Sequence, residues 1–203
     1  MIWCYLLAGG RSSRFGSDKA AADWDGRTFL QAGCDTFRAM ACADRVAVVV
    51  SPASPVPAVD CDGVVRDRSD ASHRHPLLGL VAAIRHAADV QASTAVVAAV
   101  DQPFLQPAWL EALIDAAQEH SSAAYRGAFW QPFPVAVNGA VLSDVADELD
   151  RMLDTEDRDQ LSIQRCYREL RVHSLPLPEG WPTEGGSVNT PAERDAMRRR
   201  KGD

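Results

Sequence analysis

The sequence has almost no lysine and no excess of positive charge. Lys19 and Lys201 are its only lysines, and every other basic residue is arginine. Acidic residues (28) outnumber basic residues (21), so the formal net charge is −7, which argues against a dedicated nucleic-acid-binding protein. A local basic pocket for a small anion remains compatible with this balance. Because a compact ammonium differs physically from a planar guanidinium, Lys19 stands out in this arginine-rich chain.

The chain also lacks long hydrophobic runs, cysteine pairs of the Cys-x-x-Cys type and internal repeats. Its apolar start, Ile2–Leu7, is too short for a signal sequence or a membrane span and has no basic residue before it. The five cysteines are an odd number without paired spacing, which is typical of thiols in a reducing compartment. We therefore expect a cytoplasmic protein without membrane contact. Its 203 residues, 46% of them hydrophobic, suffice for a single domain.

Strand-like and helix-like segments alternate along the chain. Apolar runs predict strands at Ile2–Leu7, Arg45–Val50, Gly63–Arg66, Thr94–Val100 and Leu170–Leu175. Helical spacing predicts helices over Gly26–Ala43, Leu77–Ala88, Pro107–Glu119, Val141–Leu153, Gln160–Glu169 and Pro191–Arg200. The aromatic, proline-containing segment Ala128–Asn138 suggests an edge strand or a lid. The alternation favours an α/β fold: a Rossmann-like, mostly parallel sheet with helices on both faces.

The segment Leu7–Ala20 has the composition of an anion-binding loop. A buried strand leads into a stretch with three glycines, two arginines and Lys19. Glycines allow the backbone to approach a ligand and expose N–H groups to anions, so a polyphosphate would explain the clustered cations. The spacing matches neither a standard P-loop nor the dinucleotide fingerprint. An ordinary surface loop is the structural alternative.

Asp101 directly follows the clearest predicted central strand. In α/β proteins, ligands bind at the carboxyl ends of the strands, and a carboxylate there suits Mg²⁺, which prefers oxygen ligands and shares them with phosphates. The alternative is a turn or helix-capping aspartate, since Pro103 follows. Asp67 is a weaker candidate, because Arg66-Asp67-Arg68 also fits a surface charge cluster.

Several blocks, in order along the chain, resemble one family. The loop Leu-Ala-Gly-Gly-x-x-x-Arg-Phe-Gly-x-Asp-Lys at Leu7–Lys19 is similar to the signature loop of small nucleotidyltransferases, and most similar to that of the molybdenum cofactor guanylyltransferases. Further blocks of similarity are Arg66-Asp67, His75–Leu80, Val100–Leu105, Gln131–Val135 and Val188–Glu193. Two positions depart from the pattern: Ser51 and Ser187 stand where these proteins often carry asparagine.

The resemblance implies a fold of the nucleotide-diphospho-sugar-transferase type, with residues 1–203 forming one nucleotidyltransferase domain. Its N-terminal half would bind the nucleotide and its C-terminal half the acceptor. It also implies transfer of GMP from GTP to the terminal phosphate of molybdenum-carrying molybdopterin, with Mg²⁺ as cofactor. Partners would be GTP and molybdopterin as substrates, together with transient contacts to molybdoenzymes or their chaperones. Nucleic acid and membranes are not expected partners.

Site residues follow from the same resemblance, position by position. Lys19, Arg14 and Asp101 would be catalytic, and Asp101 would hold the metal. The acceptor would lie against Gln131, Pro132 and Asn189. The expected nucleotide contacts are Leu7, Ala8, Gly9, Gly10, Arg11, Lys19, Ser51, Asp67 and Asp101.

Two other functions remain open on the sequence. The sister cytidylyltransferase uses CTP with the same acceptor, but Ala8-Gly9-Gly10 and Asp18-Lys19 favour GTP. A nucleotide-binding delivery module without turnover is the other alternative. The presence of both Lys19 and Asp101 argues against it, since a non-catalytic site need not keep the two together.

Overall fold

The computed structural model describes residues 1–9, 19–55, 58–68, 75–155, 162–182 and 187–201. Its strands are β1 (Ile2–Leu7), β2 (Asp23–Trp24), β3 (Arg27–Thr28), β4 (Arg45–Val50), β5 (Gly63–Arg66), β6 (Thr94–Ala99), β7 (Ser122–Arg126), β8 (Trp130–Asn138) and β9 (His173–Pro176). Its α-helices are α1 (Phe29–Arg38), α2 (Pro76–Asp89), α3 (Pro107–His120), α4 (Leu142–Thr155), α5 (Ile163–Glu169) and α6 (Pro191–Lys201).

Seven strands form one sheet in the order β5-β4-β1-β6-β8-β7-β9. The first four pair in parallel, and β9 pairs in parallel with β7. Of these seven strands, β8 alone runs opposite to the others, and it pairs antiparallel with its neighbours β6 and β7. The remaining two strands, β2 and β3, form a short separate hairpin.

Helices cover both faces of this sheet. Side chains of β1 alternate, so that Trp3 and Tyr5 join a core under α2, α4 and α5, while Cys4 and Leu6 join a second core under α1 and α3. The prediction of a mostly parallel, Rossmann-like α/β sheet is therefore confirmed. Among the described residues, no helix combines the length and the apolar composition needed to cross a membrane.

Local sequence signals explain where several helices begin. The Thr28 hydroxyl accepts a hydrogen bond from the Gln31 N–H and caps α1. In α2, His75 Nδ1 accepts from the Leu77 N–H, and Pro76 occupies the first turn, where its missing N–H matters least. Thr28 also ends the β2–β3 hairpin, which shortens the helix predicted from residue 26.

The segment predicted as an edge strand or a lid is neither. Strand β8 lies inside the sheet between β6 and β7, and Phe133, Val135 and Val137 are buried. The prolines that suggested an edge are accommodated near its beginning, where Pro132 is exposed and the ladder to β6 starts only at Val135. Because β8 is antiparallel, its first residues lie at the same edge as the carboxyl ends of β1 and β6.

We predict that Gly139→Ala destabilises the fold. Gly139 follows β8, and a Cβ there would lie 2.3 Å from the carbonyl oxygen of Ala92. Because backbone must move to relieve this overlap, we expect the free energy of unfolding to fall by about 2–3 kcal/mol in urea titrations. Gly63→Ala is the control, since its Cβ would meet its nearest atom at 3.8 Å. Equal stability of the two variants would contradict the packing described at Gly139.

Candidate active site

Ends of neighbouring strands bring the predicted site residues to one edge of the sheet. The chain leaves β1 at Ala8, whose N–H donates to the carbonyl oxygen of Val49 in β4. On the other side, the N–H of Val100 donates to the carbonyl oxygen of Leu7. The parallel ladders thus fix where the chain emerges after β1, β4 and β6. This is the edge at which open α/β sheets bind their ligands.

Gly9, Ser51 and Asp67 meet at the first part of this edge. A Cβ on Gly9 would lie 3.1 Å from the backbone nitrogen of Ser51 and 3.2 Å from Oδ2 of Asp67. The close approach accounts for glycine at this position, because a side chain would fill the space between the strand ends. Ser51 and Asp67 are both buried polar residues. The surface-cluster alternative for Asp67 is therefore wrong.

Lys19, Asp101 and Asn189 meet at the second part of this sheet edge. Lys19 Nζ lies 3.5 Å from Oδ2 of Asp101 and donates a hydrogen bond to Oδ1 of Asn189 at 3.1 Å. The side chains of Lys19 and Asp101 are 13% and 26% exposed. Residues far apart in the sequence thus form one partly buried group of a cation, a carboxylate and an amide.

The segment after residue 187 is anchored where it passes Asp101. The N–H of Val188 donates to the carbonyl oxygen of Asp101 at 2.8 Å, and the Val188 side chain is fully buried beside Trp24 and Phe29. Asn189 follows directly, and its Nδ2 donates to Oγ of Ser187 at 2.7 Å. This contact orients the amide so that Oδ1 faces Lys19.

The beginning of α6 fixes the backbone of Asn189 as well. Oε2 of Glu193 accepts hydrogen bonds from the N–H groups of Asn189 and Thr190, and the Glu193 N–H donates to Oγ1 of Thr190. This reciprocal pattern is a capping box. The motif Val188–Glu193 is therefore an anchored helix start that holds an amide beside Lys19.

Asp101 does not cap a helix. Helix α3 begins at Pro107 with Gln106 as its N-cap residue, so the helix-capping half of the alternative is wrong. Asp101 does lie in a turn, which the Gln102 N–H closes by donating to the Ala99 carbonyl oxygen. Burial raises the pKa of the Asp101 carboxyl, and the Lys19 ammonium offsets only part of that rise. A desolvated carboxylate beside a cation is typical of a site that binds charged ligands.

Gln102 connects Asp101 to the beginning of β8. Its buried amide donates from Nε2 to the carbonyl oxygen of Phe133 at 2.6 Å, and its Oε1 accepts from the Ala99 N–H. The predicted acceptor residues Gln131 and Pro132 directly precede Phe133. The buried Tyr167 hydroxyl donates to the Pro132 carbonyl oxygen at 2.6 Å. The sequence offered a signal for Gln102, since it follows Asp101 within the recognised block.

Three predicted site residues, Gly10, Arg11 and Arg14, lie outside the described residues. All the other predicted site residues lie at or beside the edge formed by the ends of β1, β4, β5 and β6 and the beginning of β8. Sequence reasoning missed Arg66 as a separate feature, although its Nη1 donates to three carbonyl oxygens after β4.

The donor atoms near Asp101 fit a hard divalent cation. The Asp101 carboxylate and the Asn189 amide oxygen already face the Lys19 ammonium, and oxygen atoms of these kinds are ligands that Mg²⁺ accepts. No group of three or more His, Cys, Asp or Glu side chains suited to a metal occurs in the described part of the chain. One carboxylate with one amide oxygen beside it suits a metal that keeps waters and shares phosphate oxygens.

We predict that Asp101→Asn raises stability at neutral pH. Because the folded state raises the pKa of this acid, folding is favoured while the carboxyl is protonated. Stability declines as the pH rises from the unfolded pKa, about 4, through the higher folded pKa, and the loss remains above it. The gain in unfolding free energy of the variant, measured in urea between pH 4 and pH 8, should grow with pH.

Asp115→Asn, an exposed position on α3, gives the baseline for this experiment. An Asp101→Asn protein that is less stable than the parent at pH 7 would show that the ion pair with Lys19 outweighs the burial of the carboxylate.

The chain matches known nucleotidyltransferases over most of its length. The sequence model of the MobA-like NTP transferase domain matches residues 4–171. A molybdenum cofactor guanylyltransferase of Xanthomonas euvesicatoria pv. vesicatoria (strain 85-10) is 32% identical over 188 residues, covering 93% of this chain and 89% of that protein. A probable molybdenum cofactor guanylyltransferase of Opitutus terrae is 32% identical over 200 residues, covering 96% and 94%.

Solved structures share the fold at lower identity. Molybdopterin-guanine dinucleotide biosynthesis protein A from Archaeoglobus fulgidus superposes with a TM-score of 0.72 at 18% identity, covering 98% of each chain. A 2-C-methyl-D-erythritol 4-phosphate cytidylyltransferase from Thermus thermophilus gives a TM-score of 0.71 at 18% identity over the whole of both chains. These likenesses confirm the nucleotide-diphospho-sugar-transferase type of fold. The chain is a nucleotidyltransferase and belongs to the MobA-like NTP transferase family.

Proposed function

We propose that the protein transfers GMP from GTP to the terminal phosphate of molybdenum-carrying molybdopterin. An oxygen of the acceptor phosphate attacks the α-phosphorus of GTP, and the bond from that phosphorus to the oxygen bridging to the β-phosphate breaks. The products are a dinucleotide cofactor and pyrophosphate. The meeting of Lys19, Asp101 and Asn189 carries this proposal, because a cation and oxygen donors lie together at the edge of the sheet to which we assign the triphosphate. The names of relatives about 30% identical over nearly the whole chain support the choice of nucleotide and acceptor.

The protein's own contribution is positioning and electrostatic stabilisation. The nucleophile is already an anionic phosphate, so no covalent enzyme intermediate is needed. The Lys19 ammonium would stay beside Asp101 and Asn189, keep part of its contacts with them, and bind triphosphate oxygens from that position. Its low exposure strengthens this attraction, because little water competes for the charge.

Mg²⁺, bound by the Asp101 carboxylate with the Asn189 amide oxygen nearby, would supply neutralising charge to the phosphate oxygens. Asp101 is suited to this role because its carboxylate is desolvated and lies beside the Lys19 ammonium. The same two side chains thereby link metal and lysine, so that both cations would act on one triphosphate.

The two parts of the site would serve the two ends of the nucleotide. Gly9, Ser51 and Asp67 lie together, and we assign the base and ribose to them and to the backbone of Leu7 and Ala8. Gly10, Arg11 and Arg14 are proposed as further nucleotide contacts from the sequence resemblance.

The acceptor is assigned to the beginning of β8, at Gln131 and Pro132, and to Asn189. In this proposal residues 1–203 form one domain, with the nucleotide on the N-terminal half and the acceptor on the C-terminal half. Asn189 lies where the two meet. We further propose that the enzyme acts in the cytoplasm and meets molybdoenzymes or their chaperones transiently when the cofactor is delivered.

Pyrophosphate release with GTP or CTP, each with and without molybdopterin, tests this function. We predict release that requires molybdopterin and a preference for GTP in kcat/KM. Buried groups that pair with guanine would lose partners with cytosine, at roughly 1–3 kcal/mol each. One or two such losses give a preference of roughly tenfold to several thousandfold.

Ser51→Ala is the informative variant in this assay. The Ser51 hydroxyl is hydrogen-bonded to Oγ of Ser54 at 2.7 Å, so we expect only a modest loss of the GTP preference when it is removed. A CTP preference of the parent enzyme would assign the chain to the sister cytidylyltransferases. Absence of turnover with every nucleotide, despite tight binding, would support a delivery module instead.

A further inference from the structure

The chain after β4 makes a tight turn beside Gly9, which we call the 51–54 turn (Ser51–Ser54). Its ends are closed by two hydrogen bonds: the Ser54 N–H donates to the Ser51 carbonyl oxygen at 3.0 Å, and the two serine hydroxyls lie 2.7 Å apart. The backbone nitrogen of Ser51 is the atom nearest to the position that a Cβ on Gly9 would occupy. The turn therefore forms one wall of the proposed base and ribose pocket.

A single guanidinium nitrogen also holds this turn. Nη1 of Arg66 donates to the carbonyl oxygens of Ser51 at 3.2 Å, Pro52 at 2.9 Å and Ser54 at 3.0 Å. The nitrogen carries two hydrogens, so at least one is shared between carbonyl groups. Three of the four carbonyl oxygens of the turn are thus drawn to one point.

The position of Arg66 is fixed by the sheet. Arg66 is the last residue of β5 and is paired with Val50, the last residue of β4. The next residue, Asp67, donates its N–H to the Val50 carbonyl oxygen, and its carboxylate lies beside Gly9. Successive residues of one strand end therefore contribute to the same pocket: Arg66 binds the turn that forms its wall, and the Asp67 carboxylate lies beside Gly9.

We propose that Arg66 is a positioning residue for base selection. It holds the 51–54 turn in the one shape whose backbone and serine groups discriminate between nucleotide bases. A turn fixed before binding loses less conformational entropy when the base binds, and its groups cannot rearrange to pair with the wrong base. This inference rests on the proposed function, because it assigns the base to the pocket beside Gly9.

Ser51 gives this role its importance. A serine side chain is short and carries a single hydroxyl, and that of Ser51 is already hydrogen-bonded to Ser54. Discrimination by a shorter side chain depends more on the placement of the surrounding backbone. Arg66 supplies that placement through carbonyl contacts, which do not depend on the identity of the turn's side chains.

The test measures equilibrium binding of GTP and of CTP to the full chain by calorimetry, with Mg²⁺ present and no acceptor. Four proteins are compared: the parent, Arg66→Met, Arg66→Lys and Arg68→Met. Arg68 is the matched control, because it is an exposed arginine two residues away whose described ion pair is with Asp150 of α4. Thermal melting of each protein records any general loss of structure.

We expect Arg66→Met to lower the ratio of the CTP dissociation constant to the GTP dissociation constant about tenfold. A change of this size corresponds to the loss of roughly one charge-assisted hydrogen bond. Arg66→Lys should keep part of the ratio, because an ammonium can still reach one or two carbonyl groups. Arg68→Met should leave it within about twofold of the parent. Arg66→Lys also keeps the test valid if Arg66→Met fails to fold.

An unchanged ratio in Arg66→Met and Arg66→Lys, even with weaker binding of both nucleotides or a lower melting temperature, overturns the proposal and leaves Arg66 a structural role only. If Arg68→Met lowers the ratio as much as Arg66→Met does, the proposal is also overturned, since the loss of any nearby positive charge would then explain the effect. A parent that prefers CTP contradicts the proposed GTP reaction alone, because the effect of Arg66 on the ratio is still measured.

Discussion

Parallel pairing of β1 between β4 and β6 is the constraint on which the site depends. Each strand of a parallel set ends at the same edge, and here the ladders continue to Ala8 and Val100. Gly9 and Asp101 follow directly, so their places are set by backbone hydrogen bonds rather than by side-chain packing. The helices on both faces bury the strands and make this arrangement rigid. Such rigidity suits a reaction whose catalysis consists mainly of placing charges.

The charged centre joins three segments that no local sequence pattern connects. Lys19 comes after β1 in the chain, Asp101 follows β6, and Asn189 precedes α6. Asn189 is placed by the capping box of α6 and by the Val188 backbone contact with Asp101. The ammonium and the carboxylate are partly buried, and the attraction between them offsets part of the cost of burying the carboxylate. Folding thus prepares a cation and oxygen donors before any substrate binds.

Much of the framework could be predicted from the sequence because its signals are local. The runs Ile2–Leu7, Arg45–Val50 and Gly63–Arg66 are strands with the predicted bounds, since turn residues end them abruptly. Strand β7 and the antiparallel course of β8 were missed. Strand β8 is placed by pairing with β6, which lies about forty residues earlier in the chain, and β7 is placed by pairing with β8 and β9. These pairings leave no local pattern in the sequence.

In the same way, part of the site could be predicted from local signals and part could not. Asp101 and Lys19 were found because the loop, the strand end and the resemblance all pointed to them. The contact of Asn189 with Lys19 could not be predicted, because it depends on how α6 begins and on where Val188 is buried. The role of Arg66 could not be predicted for a similar reason. An arginine beside an aspartate is typical of a surface pair until the structure shows that Arg66 binds carbonyl oxygens of the 51–54 turn and that the Asp67 carboxylate lies beside Gly9.

The central claim is that a compact ammonium at residue 19 acts directly on the triphosphate from between Asp101 and Asn189. It is tested by kcat/KM for GTP, with molybdopterin as acceptor, in the parent, Lys19→Ala and Lys19→Arg. The account predicts a loss of at least about a hundredfold in both variants, because the larger planar guanidinium cannot take the same partly buried place. Near-parental kinetics of Lys19→Arg would contradict it, since any positive charge at residue 19 would then suffice.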